Sequence, residues 1–127
     1  MQKYSQITNT SRNAVLLDKA RWCDTFFSKL RGFMFSSELK ESDALVLVNG
    51  NDSKMNSAIH MLFVPFDLGV IWVNSDGVVV DKVVAKPWAL SYTPQAPAKF
   101  VIELHPSRLN LVDVNDVIKF ENLPTSR

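Results

Sequence analysis

Short runs rich in valine, isoleucine and aromatic residues recur along this chain with Gly, Pro, Asn, Asp and Ser between them, and nothing else in it restricts the fold as strongly. Such punctuation belongs to a sandwich or barrel of strands rather than to a helical bundle. The fold class expected is therefore mainly β: a single-domain, β-sandwich or barrel-like fold with one short helix in the N-terminal half and a second short helical turn. The candidate strands are Ala14–Trp22, Ala44–Val48, Met55–Phe63, Leu68–Val73, Val78–Ala85, Phe100–Leu104 and Val117–Glu121. Among them, Val70-Ile71-Trp72-Val73 leads into Asn74-Ser75-Asp76-Gly77 and out through Val78-Val79-Val80, a hairpin in which Gly77 is free to take a positive φ.

The helix is predicted over Asp24–Arg31. Asp24 can cap its first N–H groups, Lys29 and Arg31 complement the partial negative charge at its end, and Gly32 suits the position that follows. Phe26, Leu30 and Phe33 share one face at helical spacing, and that face should pack against the sheet. The second turn is expected from Ser107, and Asn115-Asp116 reads as a turn delivering the last strand. With 127 residues there is material for one core and not for two. The domain is expected over residues 11–122, with tails at 1–10 and 123–127.

Charge and composition narrow function by exclusion. Lys+Arg 14 against Asp+Glu 13 leaves a net charge of +1, which makes no electrostatic case for nucleic acid or an anionic membrane surface as a partner. The most apolar stretch, Met61–Val73, is shorter than the ~20 residues of a spanning helix, and Pro65 and Asp67 interrupt it. No apolar h-region follows Lys3, which argues against a cleavable secretory signal and makes the cytoplasm the expected location. Cys23, His60 and His105 are the only Cys and His residues, and none stands at a metal-ligand spacing, so neither metal nor cofactor is expected. One cysteine also makes no internal disulfide.

His60 and Asp67 lie close in sequence within apolar surroundings, as an acid–base pair would. The alternative is a half-buried imidazole satisfied by a backbone carbonyl, with Asp67 in the turn after Pro65. Cys23 precedes the predicted helix, where a thiol can be activated, yet Asp24 sets a negative charge beside it and buried free cysteine is a common apolar filler. No serine lies in a Gly-x-Ser-x-Gly elbow. The segment Pro87–Pro94 carries Trp88, Ser91 and Tyr92 in a long connection of the kind that lines clefts, or that folds back as a lid on one end of the sandwich. Asn49–Lys54 is a polar turn without the ligand spacing or terminal Glu of an EF-hand.

Leu30-Arg31-Gly32-Phe33-Met34-Phe35, Ile59-His60-Met61 with Pro65-Phe66-Asp67, the Asp76-Gly77 hairpin and Pro97-Ala98-Lys99-Phe100-Val101-Ile102-Glu103-Leu104 follow one another in this chain. Their order resembles the bacterial and archaeal family catalogued as domain of unknown function 192. The resemblance runs from about Ala14 to Phe120. It implies a single compact β-sandwich-like domain with a short helix near its N-terminal part, and no established activity. The family's Arg-Gly-Leu-Met pattern falls on Arg31–Met34, and its Pro-Ala-x-Tyr-Val-Leu-Glu-Leu pattern on Pro97–Leu104. Many members carry Trp-Met-Lys-Asn-Thr where this chain has Ala58-Ile59-His60-Met61-Leu62, which puts in doubt any chemistry needing that lysine. Many also begin with an export signal, and their extracytoplasmic location is not carried over.

The function expected is a non-catalytic binding module for a small polar or anionic ligand or a peptide, with Arg31, His60, Asp67, Trp88, Ser91 and Tyr92 around a pocket at one end of the sandwich. Arg31 offers a bidentate fork for a carboxylate or phosphate, unless a salt bridge, with Glu103 for example, occupies it. His60 and Asp67 would form a tunable polar wall and Trp88 an apolar platform. One rival is a hydrolase in which His60 and Asp67 meet a Ser or Cys brought in by folding. The other is a protein interaction module without a pocket, working through an apolar patch or an edge strand. The oligomeric state is left open.

Overall fold

The computed structural model describes residues 2–124. The alternating runs become β1 (Lys3–Asn9), β2 (Ala14–Cys23), β3 (Ala44–Ser53), β4 (Leu68–Val73), β5 (Val79–Ala85), β6 (Ala98–Leu104) and β7 (Ile118–Asn122). Helix α1 covers Phe26–Arg31, and a 3₁₀ helix covers Pro106–Leu111. The strands form one seven-stranded sheet in the order β5-β4-β6-β3-β2-β1-β7, antiparallel except for the β2–β3 pair. The mainly-β, single-domain expectation holds. The layers, however, come from one curled sheet that does not close.

Alternation along each strand sends side chains to two cores. One, to which all seven strands contribute, holds Ile7, Leu16, Val46, Ile71, Val79, Ile102 and Ile118, with Leu109 and Val112 packed in from the 3₁₀ segment. The other lies on the opposite face of the central strands, where Leu45, Leu47, Val70, Trp72 and Val101 are covered by Phe33, Ile59, Met61 and Val64 from the connections. The sheet's two edges meet at one end only. There the tip of the β4–β5 hairpin reaches β7: Ile118 N donates to Gly77 O at 2.7 Å, and Val78 bridges Val117. Gly77 takes φ +82°, as its place in the hairpin demanded.

Three expectations need correction. Residues 3–9, read as tail, form β1 between β2 and β7, with Ile7 fully buried. Their polar spacers hid a strand whose alternate positions, Ser5, Ile7 and Asn9, face inward. Of the C-terminal tail, residues 125–127 lie outside the described residues, and Leu123 N donates to Tyr4 O at 2.9 Å. Met55–Phe63 is not a strand. It makes one isolated bridge, Ile59 with Tyr92, and is otherwise turns that lie across the second core, where Trp72 Nε1 donates to Ser57 O at 2.7 Å. Finally, α1 is capped by Thr25 and not by Asp24, whose carboxylate faces Lys3 at 3.7 Å. Phe26 and Leu30 are exposed, and only Phe33, just past the helix, is buried.

Candidate functional site

The short helix stands clear of the sheet and leaves a groove of about 400 Å³ beneath it, within the size range of ligand sites. Its helical side consists of Phe26, Lys29, Leu30 and Arg31, continued by Gly32–Met34. Local chemistry sets that side. Ser28 N donates to Thr25 Oγ1 and Thr25 N donates to Ser28 Oγ, each at 3.1 Å, a reciprocal cap that starts the helix. Gly32, at φ +46°, then turns the chain down to the sheet.

The opposite wall comes from β3. Between the pairs Val48–Phe100 and Ser53–Ala98, four residues, Asn49–Asp52, stand opposite the single Lys99 and have no strand partner. Asp52 anchors the far end of this bulge by accepting from Ser75 N at 2.8 Å and Ser75 Oγ at 2.7 Å. Asn49 spans the groove mouth: its Oδ1 accepts from Lys29 Nζ at 3.3 Å, and its Nδ2 donates to Asn56 O at 3.1 Å. Ala58, Ile59, His60 and Val64 close the end, and Leu47, Leu68, Val101 and Glu103 form the floor.

Glu103 is the unusual member. It sits on the central strand β6 with Leu45 and Val70 directly beside it on β3 and β4, and it is only 5% exposed. Its Oε1 would lie 3.2 Å from a Cβ placed on Gly32, so the backbone turn rests on the carboxyl group. Among the described residues its carboxylate has neither a hydrogen bond nor an ion pair. Burial pushes its pKa up to about 7, with Arg21 acting in the opposite sense. Arg21 stands in the same cross-strand row, beyond Leu45, with its guanidinium 5.4 Å from the centre of the Phe33 ring. Cys23 is also buried. Burial first, then the Glu103 and Asp24 charges, push its thiol pKa up against the pull of Arg21, which disfavours a nucleophilic thiolate.

Of the six residues expected at a site, the groove brings together Arg31 and His60. His60 Nδ1 accepts from Leu62 N at 3.2 Å, which leaves Nε2 to carry the proton in the neutral ring. No hydroxyl or thiol among the described residues is hydrogen bonded to that ring. Asp67 instead pairs with Lys86 at 3.1 Å on the surface, and Tyr92 accepts from Lys86 N at 2.9 Å through its hydroxyl. Ser91 is exposed, and Trp88 lies edge-on to Phe63 at 5.1 Å, while Phe35 stacks on Phe63 at 4.9 Å. None of these four lines the groove. The anticipated salt bridge between Arg31 and Glu103 is absent. Lys29, Asn49, Asn56 and the floor position of Glu103 escaped the sequence reading. The available signal was a lone acid inside the buried run Val101-Ile102-Glu103-Leu104.

A family model for domain of unknown function 192, described as an uncharacterised ACR, matches residues 6–120. The chain belongs to this family. The match starts within β1, so the strand read as tail is part of the family's domain. Arg31–Met34, Ala58–His60 and the β6 residues Val101 and Glu103 are far apart in sequence and meet around one groove.

Similar family members include a UPF0127 protein of Thermococcus kodakarensis, 37% identical over 97 residues, which covers 76% of this chain and 60% of that protein. A UPF0127 protein of Thermococcus gammatolerans is 34% identical over 110 residues, 87% of this chain and 70% of its own length. This chain thus spans about three fifths of the first relative. Two crystal structures share the fold. A protein of unknown function from Novosphingobium aromaticivorans gives a TM-score of 0.74 at 19% identity, over 91% of this chain and 83% of that one. A Sinorhizobium meliloti protein, provisionally described as a transcription regulator, gives 0.79 at 14% identity over 94% of each chain.

Proposed function

We propose that this domain is a non-catalytic binding module whose groove between α1 and β3 takes a small ligand or peptide carrying an anionic group. One observation carries the reading: Lys29, Arg31 and His60 border the same groove, and neither cation is ion-paired to an acid among the described residues. Unpaired cations beside the apolar side chains Leu47, Leu68 and Val101 suit a carboxylate or phosphate with an apolar body, and Arg31 supplies the planar fork. The hydrolase reading lacks support, because no hydroxyl or thiol among the described residues is hydrogen bonded to His60 and Asp67 is held by Lys86. The groove gives the ligand-binding reading a site that an interaction module working through an apolar patch would not need. Among the described residues no helix is long and apolar enough to cross a membrane. The cytoplasmic setting belongs to this proposal too, and fractionation of cells carrying the native gene tests it.

The test is a thermal-shift screen of the full chain with small carboxylates and phosphates. A ligand present at about 100 times its dissociation constant adds ~2.7 kcal/mol to stability, enough to raise the melting temperature visibly. The shift should vanish in Arg31→Ala and persist in Asp67→Ala. No shift with any anion, or one that survives Arg31→Ala, overturns the reading.

A further inference from the structure

An anionic ligand explains the groove's rim and leaves its floor unexplained. Glu103 is nineteen-twentieths buried, has no hydrogen-bond or ion-pair partner among the described residues, and lines a cavity walled by Leu47, Leu68 and Val101. A buried carboxylate without donors is costly, and the same desolvation makes it a strong acceptor for a group that brings donors with it. Lys29 and Arg31 line the same groove, and their charges disfavour a simple cation there. The ligand that satisfies both ends therefore carries both charges, positive at the floor and negative at the rim, with an apolar stem between.

Two features favour a peptide among such zwitterions. Asn49 and Gly50, on the groove wall, belong to the bulge of β3 whose residues have no register partner on β6, an irregular strand segment of the kind an extended chain can lie along. A Cβ at Gly50 would meet nothing within 4 Å, so there is room alongside. We propose that the groove binds the free N-terminus of a short peptide, its ammonium group bonded to Glu103, its first side chain against Leu68 and Val101, and a downstream carboxylate held by Lys29 and Arg31. This rests on the reading of the groove as a site for a ligand with an anionic group.

Binding needs Glu103 ionised and the amine protonated. Arg21 and Cys23 from β2 lie within electrostatic reach of Glu103, and Lys29 and Arg31 from α1 and His60 from the connection after β3 line the same groove; β3 and β4 present Leu45, Leu47, Leu68 and Val70. Affinity should therefore rise from about pH 5.5 to about pH 7.5 and fall once the peptide amine, of ordinary pKa ~8, loses its proton.

The experiment is calorimetric titration of the full chain with the tripeptide Leu-Ala-Ala in three forms: both ends free, N-acetylated, and C-terminally amidated. At about pH 7.5, acetylation should weaken binding about tenfold or more, as removal of a charge-assisted hydrogen bond does. Amidation should weaken it too, and Glu103→Gln should bind the free and acetylated forms alike. Equal affinity for the free and acetylated forms of the wild-type chain overturns the proposal without relying on any variant. If amidation and Arg31→Ala still weaken binding in that case, the anionic-ligand reading stands and only the role of Glu103 falls. Tighter binding at low pH overturns the proposal as well, because it assigns Glu103 the part of a protonated donor to an anion. If no form binds, this proposal fails, and the thermal-shift screen decides the broader reading separately.

Discussion

Glu103 links stability to the groove. Its folded-state pKa of about 7 lies above the ordinary value of 4.5, so between those pH values the folded chain holds a proton that the unfolded chain has released. The stabilisation linked to that proton is complete below about pH 4.5 and is lost as pH rises through 7. The shift corresponds to a cost on the order of 3 kcal/mol for the ionised form. Glu103→Gln removes the titrating group while keeping its shape. Urea unfolding should therefore find the variant more stable than wild type at pH 8, by about 1–3 kcal/mol, with a flatter pH dependence between 5 and 8. A variant less stable at pH 8 would mean that the carboxylate has a structural partner in the folded chain. Cys23 needs no such role: its thiol is buried beside this acid and behaves as filler.

Among the elements, α1 matters more for what it carries than for what it buries. None of its residues is buried, and it spans only Phe26–Arg31, too short to persist on propensity alone. Its reciprocal cap and the turn at Gly32, leading to buried Phe33, hold it at both ends. Thr25→Ala should cost the helix about 1 kcal/mol. Because so short an element can open without the core, the readout is faster amide exchange at Ser28 and Lys29, with little change in melting temperature. Weaker ligand binding should accompany it, since Lys29 and Arg31 ride on this helix. Unchanged exchange would show that the Phe33 anchor alone positions the cations. The segment Met55–Phe63 teaches the complementary lesson. Its composition suits a strand, but the sheet offers it no neighbour, and it becomes a cover for Trp72 and the end of the groove.

In the whole molecule, the two ends of the curled sheet are joined where the tip of the β4–β5 hairpin meets the start of β7 and the turn before it. Gly77 lies at φ +82°, and a Cβ there would stand 2.9 Å from Ile118 O, the strand that the hairpin tip meets. Gly77→Val forces a β-branched residue into a left-handed conformation and against backbone at once. It should destabilise the domain by about 1–3 kcal/mol, read by denaturant unfolding. A change below about 0.5 kcal/mol would mean that the edges part without consequence for the core. The groove lies on the other face of the central strands, so binding should survive wherever the variant remains folded.

The amino-acid sequence by itself determined what depends on near neighbours: the alternation that sorts Val46 from Leu45 and Ile102 from Val101, the turn at Gly77, the helix ending at Gly32, and the short helical turn before the last strand. These follow from side-chain period and backbone freedom, which are local properties. β1 was harder to see because its strand alternates Ser5, Ile7 and Asn9 inward, and burial of polar residues is decided by partners that a linear reading does not supply. Only the tertiary structure decided that Arg31 and His60 share a groove while Asp67, Trp88, Ser91 and Tyr92 lie elsewhere, and that Glu103 forms its floor. The reason is physical: strand order brings β6 between β3 and β4, and that order, with the desolvation it imposes on one carboxyl group, is set by contacts between distant segments rather than by any residue's own preference.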